Sequence, residues 1–290
     1  MSETLVRDSV DQAGFDIGDI LVSTRPDGPL KLSSKAEPSL AERHKSLWKQ
    51  GYGSVSVPEA QFLIDIIRHT NAKTVFEVGT ATGLSGVLMM DELAQRPGTR
   101  FRTVDLDTTF WNDRTKASGW LIDEALETLE MDAKVHREST ARDAEAVLEG
   151  QKANVIFIDA NHQHPWPMID TFLSLPSLAP NGIMAHHDLK LFTLQDRPQG
   201  IGPKYLFDQL ADSLRIQSDL APNIFALHAP RDAHAFVERM AEGLLLPWSN
   251  RQRISDELIE HVGAFCEKHF NTSQVRYNLE LGAHRYNTRP

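Results

Sequence analysis

Two short stretches of this sequence concentrate side chains able to do chemistry. One is Asp159-Ala160-Asn161-His162-Gln163-His164, directly behind the apolar run Val155-Ile156-Phe157-Ile158. The other is His186-His187-Asp188, behind Gly182-Ile183-Met184-Ala185. Each polar group ends a run with strand character. In a parallel sheet both would emerge at the carboxyl edge, where open α/β folds hold ligands. Asp159 and Asp188 would then lie side by side, and two carboxylates at one place need a cation or a shared proton.

A third stretch, Glu77-Val-Gly79-Thr80-Ala81-Thr82-Gly83-Leu84-Ser85, follows the apolar strand Val75–Val78 and opens a helix. Gly79 permits a sharp turn and close approach, and the helix start offers free N–H groups to an anion. A dinucleotide loop would read G-x-G-x-x-G, but Ala81 and Leu84 stand at its second and third glycines. Pyrophosphate is therefore disfavoured, while a carboxylate can still be held. Glu77 is an acid inside an apolar strand end. Buried there it needs a cationic or N–H partner, and the ammonium of an amino acid would be one. The second strand ends Phe101-Arg-Thr-Val104-Asp105-Leu106-Asp107, with Asp105 placed 26 residues beyond Gly79. Near that distance Rossmann-like folds use a carboxylate to accept from ribose hydroxyls. Asp107 falls in the following turn and could instead cap the next helix. A glycine turn that serves only sheet packing is the alternative.

Taken together, these segments resemble class I S-adenosylmethionine-dependent methyltransferases, whose first motif is a strand ending E-x-G-x-x-x-G. Within that class the layout is similar to the catechol O-methyltransferase-like group of bacterial small-molecule O-methyltransferases. The resemblance covers roughly residues 55–230, including the turn Pro176–Gly182 before the fifth strand. It implies that Glu77, Gly79, Thr80, Gly83 and Ser85 surround the methionine part of S-adenosylmethionine, that Asp105 holds its ribose, and that Ser139 and Thr140 contact adenine, with Asp159 bordering the same cofactor. It also implies a Mg2+ or similar divalent metal on Asp159, His187 and Asp188. His187 stands where the family more often has a carboxylate. Magnesium prefers oxygen, so His187 weakens magnesium, invites manganese, iron or zinc, or abolishes the site. His162 occupies the family's basic position, and an imidazole can accept a hydroxyl proton during transfer. Lys190 is a second candidate base, and His164 and His186 could orient substrate or serve the structure alone. The implied reaction is in-line transfer of the sulfonium methyl to a hydroxyl oxygen of a small molecule.

The elements needed to position these groups can be read from periodicity. Phe62, Leu63, Ile66 and Ile67 predict a helix after Pro58. Strands at 75–78, 101–105, 134–137, 155–158 and 182–185 alternate with helices near 84–95, 116–130, 141–149 and 166–175. A helix over 205–214 and strands at 213–218 and 223–228 follow. Alternation of this kind predicts an α/β fold: a Rossmann-like, doubly wound, mostly parallel seven-stranded sheet. The expected division is an N-terminal arm (1–54), the cofactor-binding methyltransferase domain (55–230) and a C-terminal helical extension (231–290), with two helices in 233–268 broken around Pro247.

Composition narrows the partners. The chain has 290 residues and a formal net charge of −10, which repels phosphate backbones and argues against nucleic acid. Its single cysteine, Cys266, excludes an intramolecular disulfide and a cysteine-built zinc cage. The first residues lack a secretory pattern, and no apolar run approaches the ~20 residues needed to span a bilayer. The expectation is a cytoplasmic, dimeric protein whose terminal segments shape the pocket or build the dimer, acting on a small molecule without membrane partners. Two other readings stay open. A metal-dependent hydrolase or oxygenase could use two histidines and one carboxylate, although no H-E-x-x-H signature is present. A Rossmann-like protein could also serve binding or assembly without catalysis.

Overall fold

The computed structural model describes residues 22–23, 29–52 and 54–287. Of the expected N-terminal arm, residues 1–21, 24–28 and 53 lie outside the described residues, as do residues 288–290 of the expected C-terminal extension. The central sheet is built on β3 (Thr74–Val78), β4 (Arg100–Asp105), β7 (Asp132–Arg137), β8 (Ala153–Ile158) and β9 (Leu178–His186), all parallel. Next to β9 runs β11 (Phe225–His228), antiparallel, followed by β10 (Arg215–Gln217). These are the seven expected strands. Two more, β2 (Leu30–Leu32) and β1 (Val22–Ser23), extend the edge beyond β10. The order is β1-β2-β10-β11-β9-β8-β3-β4-β7, so β3 and β8 meet in the middle, where the winding reverses.

Side-chain alternation sends each strand's residues into two cores. Phe76, Val78, Ile156, Ile158 and Met184 face one cluster, while Val75, Phe101, Val155, Phe157 and Ile183 face the other. A fully buried phenylalanine such as Phe76 contributes roughly 2–3 kcal/mol. Near-continuous apolar strands of this kind need cover on both sides. One face is covered by α2 (Val57–His69), α3 (Leu84–Leu93) and α4 (Trp120–Leu126), with α1 (Pro38–Leu47) against α2 and α3. The other carries α5 (Ala144–Val147), α6 (Trp166–Ser174), α7 (Gly202–Gln209), α8 (Ala233–Ala241), α9 (Asp256–Phe270) and α10 (Gln274–Tyr286). Ile259, Val262, Val275 and Leu279 of the last two helices share one core with Phe76 and Ile156.

The connection after β4 differs from the expected helix over 116–130. A hairpin of β5 (Thr109–Phe110) and β6 (Asp113–Ala117) occupies its start, and the helix begins only at Trp120. Phe110 is drawn into an aromatic cluster with Tyr52 and Trp120, at centroid distances of 6.1 and 5.2 Å. The Asp113 carboxylate accepts from Thr115 N–H at 3.0 Å, a local turn that competes with helix. The segment beyond Pro247 holds two helices, α9 and α10, separated by Asn271 in the left-handed region (φ 54°).

Candidate functional site

The site lies at the carboxyl ends of β3, β4, β8 and β9. At the tip of β3, Gly79 (φ +94°) lets the chain turn directly over the end of β8. A Cβ at this position would lie 2.2 Å from the Asp159 carbonyl oxygen. Gly83 (φ +85°) starts α3, and its N–H donates to Thr80 O at 2.7 Å. Glu77 is fully buried beneath this loop. Its Oε1 accepts from Ser85 Oγ at 2.6 Å, and its Oε2 has no hydrogen-bond partner. Burial pushes the Glu77 carboxyl up to about 8 against the Ser85 hydrogen bond, and the Asp159 and Asp105 charges push the same way as burial. Thr80 is held by a 2.6 Å hydroxyl–hydroxyl bond to Thr103.

Asp105 ends β4 beside that loop. Its Oδ2 accepts from Thr80 N (3.1 Å), Ala81 N (2.8 Å) and Ser118 Oγ (2.8 Å), and its Oδ1 from Asp107 N (2.9 Å). The carboxylate therefore braces the glycine loop against the β5–β6 hairpin. Asp107 itself is exposed, 3.8 Å from Arg114. Ser139 N–H donates to Asp105 O at 3.0 Å, which brings the tip of β7 alongside. Thr140 caps a 3-10 turn, its N–H donating to Asp143 Oδ2 at 2.8 Å.

Around the ends of β8 and β9 the polar groups converge. His162 Nε2 lies 3.0 Å from Asp188 Oδ2 and 3.8 Å from Asp159 Oδ1. Asp159, His162 and Asp188 offer three donor atoms within 4.8 Å of one another, a set able to hold a metal ion. Asp188 sits at φ 61°, and its Oδ1 accepts from Asn223 Nδ2 at 3.0 Å. A non-glycine residue is strained there, and the β10–β11 turn carrying Asn223 helps to hold it.

His187 sits behind this set. Its Nδ1 lies 3.2 Å from Asp159 Oδ1 and 3.5 Å from Asp188 Oδ1, while its Nε2 lies 3.2 Å from Glu59 Oε2. Both ring nitrogens thus face carboxylates. Burial opposes protonation, but Asp159, Glu59 and Asp188 outweigh it and raise the imidazole well above its usual range. Burial likewise opposes ionisation of Glu59, yet His187 and the Ser56 N–H hold it down at about 2. Burial also works against charge on Asp159, and the His187 and His162 rings lower it in spite of that. The three-donor set is formed by Asp159, His162 and Asp188, and the His187 ring lies beside it.

Among the described residues, the other sequence candidates, Lys190, His186 and His164, make no hydrogen bond or ion pair to Asp159, His162, His187 or Asp188. Lys190 is exposed and makes no ion pair among the described residues; its N–H donates to Asn223 Oδ1 at 2.7 Å. Strand alternation turns His186 away from His187. It stacks on Phe225 (centroids 5.3 Å apart), 3.3 Å from Thr171 Oγ1. His164 is buried edge-on to Tyr205. Burial lowers both of these imidazoles to about 3, so they are neutral parts of the interior.

Glu59, Asn223 and Ser118 are site neighbours that the sequence did not flag. A signal existed for Glu59, because Ser56-x-x-Glu59 is a capping box in which Ser56 N–H donates to Glu59 Oε2 at 2.5 Å. Asn223 and Ser118 arrive only through long-range pairing of β11 with β9 and of the hairpin with the glycine loop.

Residues 76–189 match a family model described as a methyltransferase domain, a span running from the glycine loop to Asp188. No curated protein matches the chain. Among solved structures, the O-methyltransferase TomG from Streptomyces achromogenes, involved in tomaymycin synthesis and solved with S-adenosylmethionine, is 19% identical. That likeness covers 68% of this chain and 92% of that one, with a TM-score of 0.47. An O-methyltransferase from Bacillus cereus, solved with S-adenosylhomocysteine, is 18% identical over 66% of this chain and 91% of that one, with a TM-score of 0.46. MycE of the mycinamycin pathway, solved with Mg, S-adenosylhomocysteine and mycinamycin VI, is 14% identical over 69% of this chain and 57% of that one, with a TM-score of 0.44. None of the described helices is long and apolar enough to cross a membrane.

Proposed function

We propose that this chain, whose residues 76–189 match a methyltransferase-domain family model, transfers the methyl group of S-adenosylmethionine to a hydroxyl oxygen of a small molecule, aided by a divalent cation. One observation carries this reading. The turn at Gly79 touches the backbone of Asp159, so the glycine loop and the Asp159–His162–Asp188 set form a single locus. A loop made to receive an amino acid thereby adjoins groups able to activate a hydroxyl.

The residues fit both groups. Glu77 Oε2 is buried without a partner, and an ammonium would supply one. The Asp159 and Asp188 carboxylates are donors suited to magnesium or manganese, with the His162 ring beside them. S-adenosylmethionine supplies an electrophilic methyl, and a divalent cation supplies positive charge that favours the deprotonated acceptor. The chain's own part is alignment and proton handling. Gly79, Thr80, Gly83 and Ser85 shape the loop, and Asp105 tethers it to β4. With Asp159 and Asp188 as the ligands, His162 is left free to take the acceptor proton, its ring positioned 3.0 Å from Asp188. His187, charged and facing three carboxylates, holds Asp159 in place. The hydrolase or oxygenase alternative draws less support, because the three-donor set has one histidine and His187 is already engaged by carboxylates.

Calorimetric titration with S-adenosylmethionine and S-adenosylhomocysteine, with and without Mg2+ or Mn2+, tests this proposal. Saturable uptake of both nucleosides and of a divalent ion is expected. No uptake of either nucleoside at millimolar concentration overturns it.

A further inference from the structure

The matched family span ends at residue 189, yet the backbone around His162 is tied down by residues beyond it. Gly202 N–H donates to His162 O at 2.9 Å, and a Cβ at 202 would lie 2.7 Å from that oxygen. Ser249 makes the larger connection. His164 N–H donates to Ser249 Oγ at 2.9 Å, and the same hydroxyl donates onward to Gln199 O at 2.7 Å. In return, Ser249 N and Asn250 N donate to His164 O at 3.1 and 3.2 Å. Arg251 N donates to Gln163 Oε1 at 2.8 Å. One hydroxyl thus joins the loop carrying His162 to the loop preceding α7.

Ser249 is itself anchored from the C-terminal helices. Trp248 is buried and its Nε1–H donates to Leu244 O at 2.8 Å. Its indole packs against Gly282 of α10, where a Cβ would meet Cζ2 at 2.4 Å. The Asn287 side chain clasps Ile254 from both sides, accepting from its N–H at 3.2 Å and donating to its carbonyl at 2.8 Å. The connection therefore runs from α10 through Trp248 and Ser249 to Gln163, His164 and the neighbouring His162.

We propose that Ser249 is a positioning residue for His162, and that the C-terminal helices complete the site rather than merely follow it. This rests on the reading of Asp159, His162 and Asp188 as the reacting centre. Residues 159–165 form no helix or strand, so their position depends on outside bonds. Loss of the Ser249 hydroxyl leaves His164 N–H and Gln199 O unmatched. The freed loop then lets the imidazole drift from Asp188, and shifts near 1 Å are costly for reacting groups.

The experiment compares Ser249→Ala and Ser249→Thr with the wild-type full chain. Mn2+ binding is followed by electron paramagnetic resonance, S-adenosylhomocysteine binding by calorimetry, and the His162 ring by NMR across pH. Ser249→Ala is expected to weaken Mn2+ by about 10-fold, to leave nucleoside affinity within about 2-fold, and to displace the His162 pH profile. Ser249→Thr restores all three. A lowered unfolding midpoint with unchanged Mn2+ affinity and an unchanged His162 profile is the mark of a purely structural serine and overturns the proposal. Should the wild type take up no Mn2+, the metal reading falls by itself and the His162 profile decides: displaced in Ser249→Ala supports the proposal, coincident with wild type overturns it.

Discussion

Glu59 of α2 faces the His187 ring across 3.2 Å, inside a capping box that also secures the start of its helix. The same carboxylate therefore does two things: it caps α2 and neutralises an imidazolium that in turn braces Asp159. Both side chains are more than nine-tenths buried. Breaking such a pair from one side strands a charge, which costs more than the pair contributes net.

Glu59→Gln is accordingly expected to lower stability by about 3 kcal/mol at neutral pH. Urea unfolding measures it. A loss below about 1 kcal/mol would mean that the pair does not form in solution.

Glu77 predicts a dependence of opposite character. Its carboxyl titrates near 8 in the folded protein against 4.5 as the ordinary value, so the folded state binds this proton more tightly. Its contribution to stability is present below about pH 4.5 and declines as pH rises to about 8, by at most roughly 1.4 kcal/mol per unit. Glu77→Gln removes that decline. The stability of the variant relative to wild type should rise between about pH 5 and pH 8, while its affinity for S-adenosylmethionine falls. A pH-independent difference in unfolding free energy would refute the assignment.

The buried histidines act in the acid range. His164 and His186 titrate near 3 when folded and near 6.5 when unfolded, so the unfolded chain takes up their protons first. Stability is full above about pH 6.5 and falls as pH drops toward about 3. His186→Phe keeps the stack on Phe225 and removes one proton site. Denaturation midpoints at neutral and mildly acid pH should lie closer together in this variant than in wild type; an unchanged separation counts against a neutral buried His186.

Gly79 offers a steric test with an internal control. Alanine at 79 places a Cβ 2.2 Å from backbone oxygen at φ +94°, and no flexible side chain is there to yield. Alanine at Gly98 (φ +70°) meets nothing within 4 Å. Gly98→Ala is expected to cost about 1 kcal/mol, from the backbone alone, and Gly79→Ala above about 3 kcal/mol or soluble expression altogether. Thermal unfolding of the two variants side by side decides this. Equal losses would mean that β3 and β8 do not meet as described.

Much of this was legible before folding, because it depends on neighbours in sequence. The apolar runs ending at Val78, Val104, Ile158 and Ala185 carry strand periodicity in their own side chains, and parallel pairing follows from the helices between them. Gly79 and Gly83 announce their turns through residue type. Asp159 and Asp188 had to share an edge once the strands were aligned. What tertiary structure alone decided is which partner each polar group takes. Two adjacent histidines part company because strand alternation sends His186 into one core and His187 toward Glu59. Among the described residues the metal-capable set contains His162, while the His187 ring lies between Asp159 and Glu59, which a helix from much earlier in the chain brings up. Ser249 and Asn223 reach the site from still farther along the chain. Hydrogen bonds and charges act through space over a few ångströms, and only the folded arrangement sets those distances.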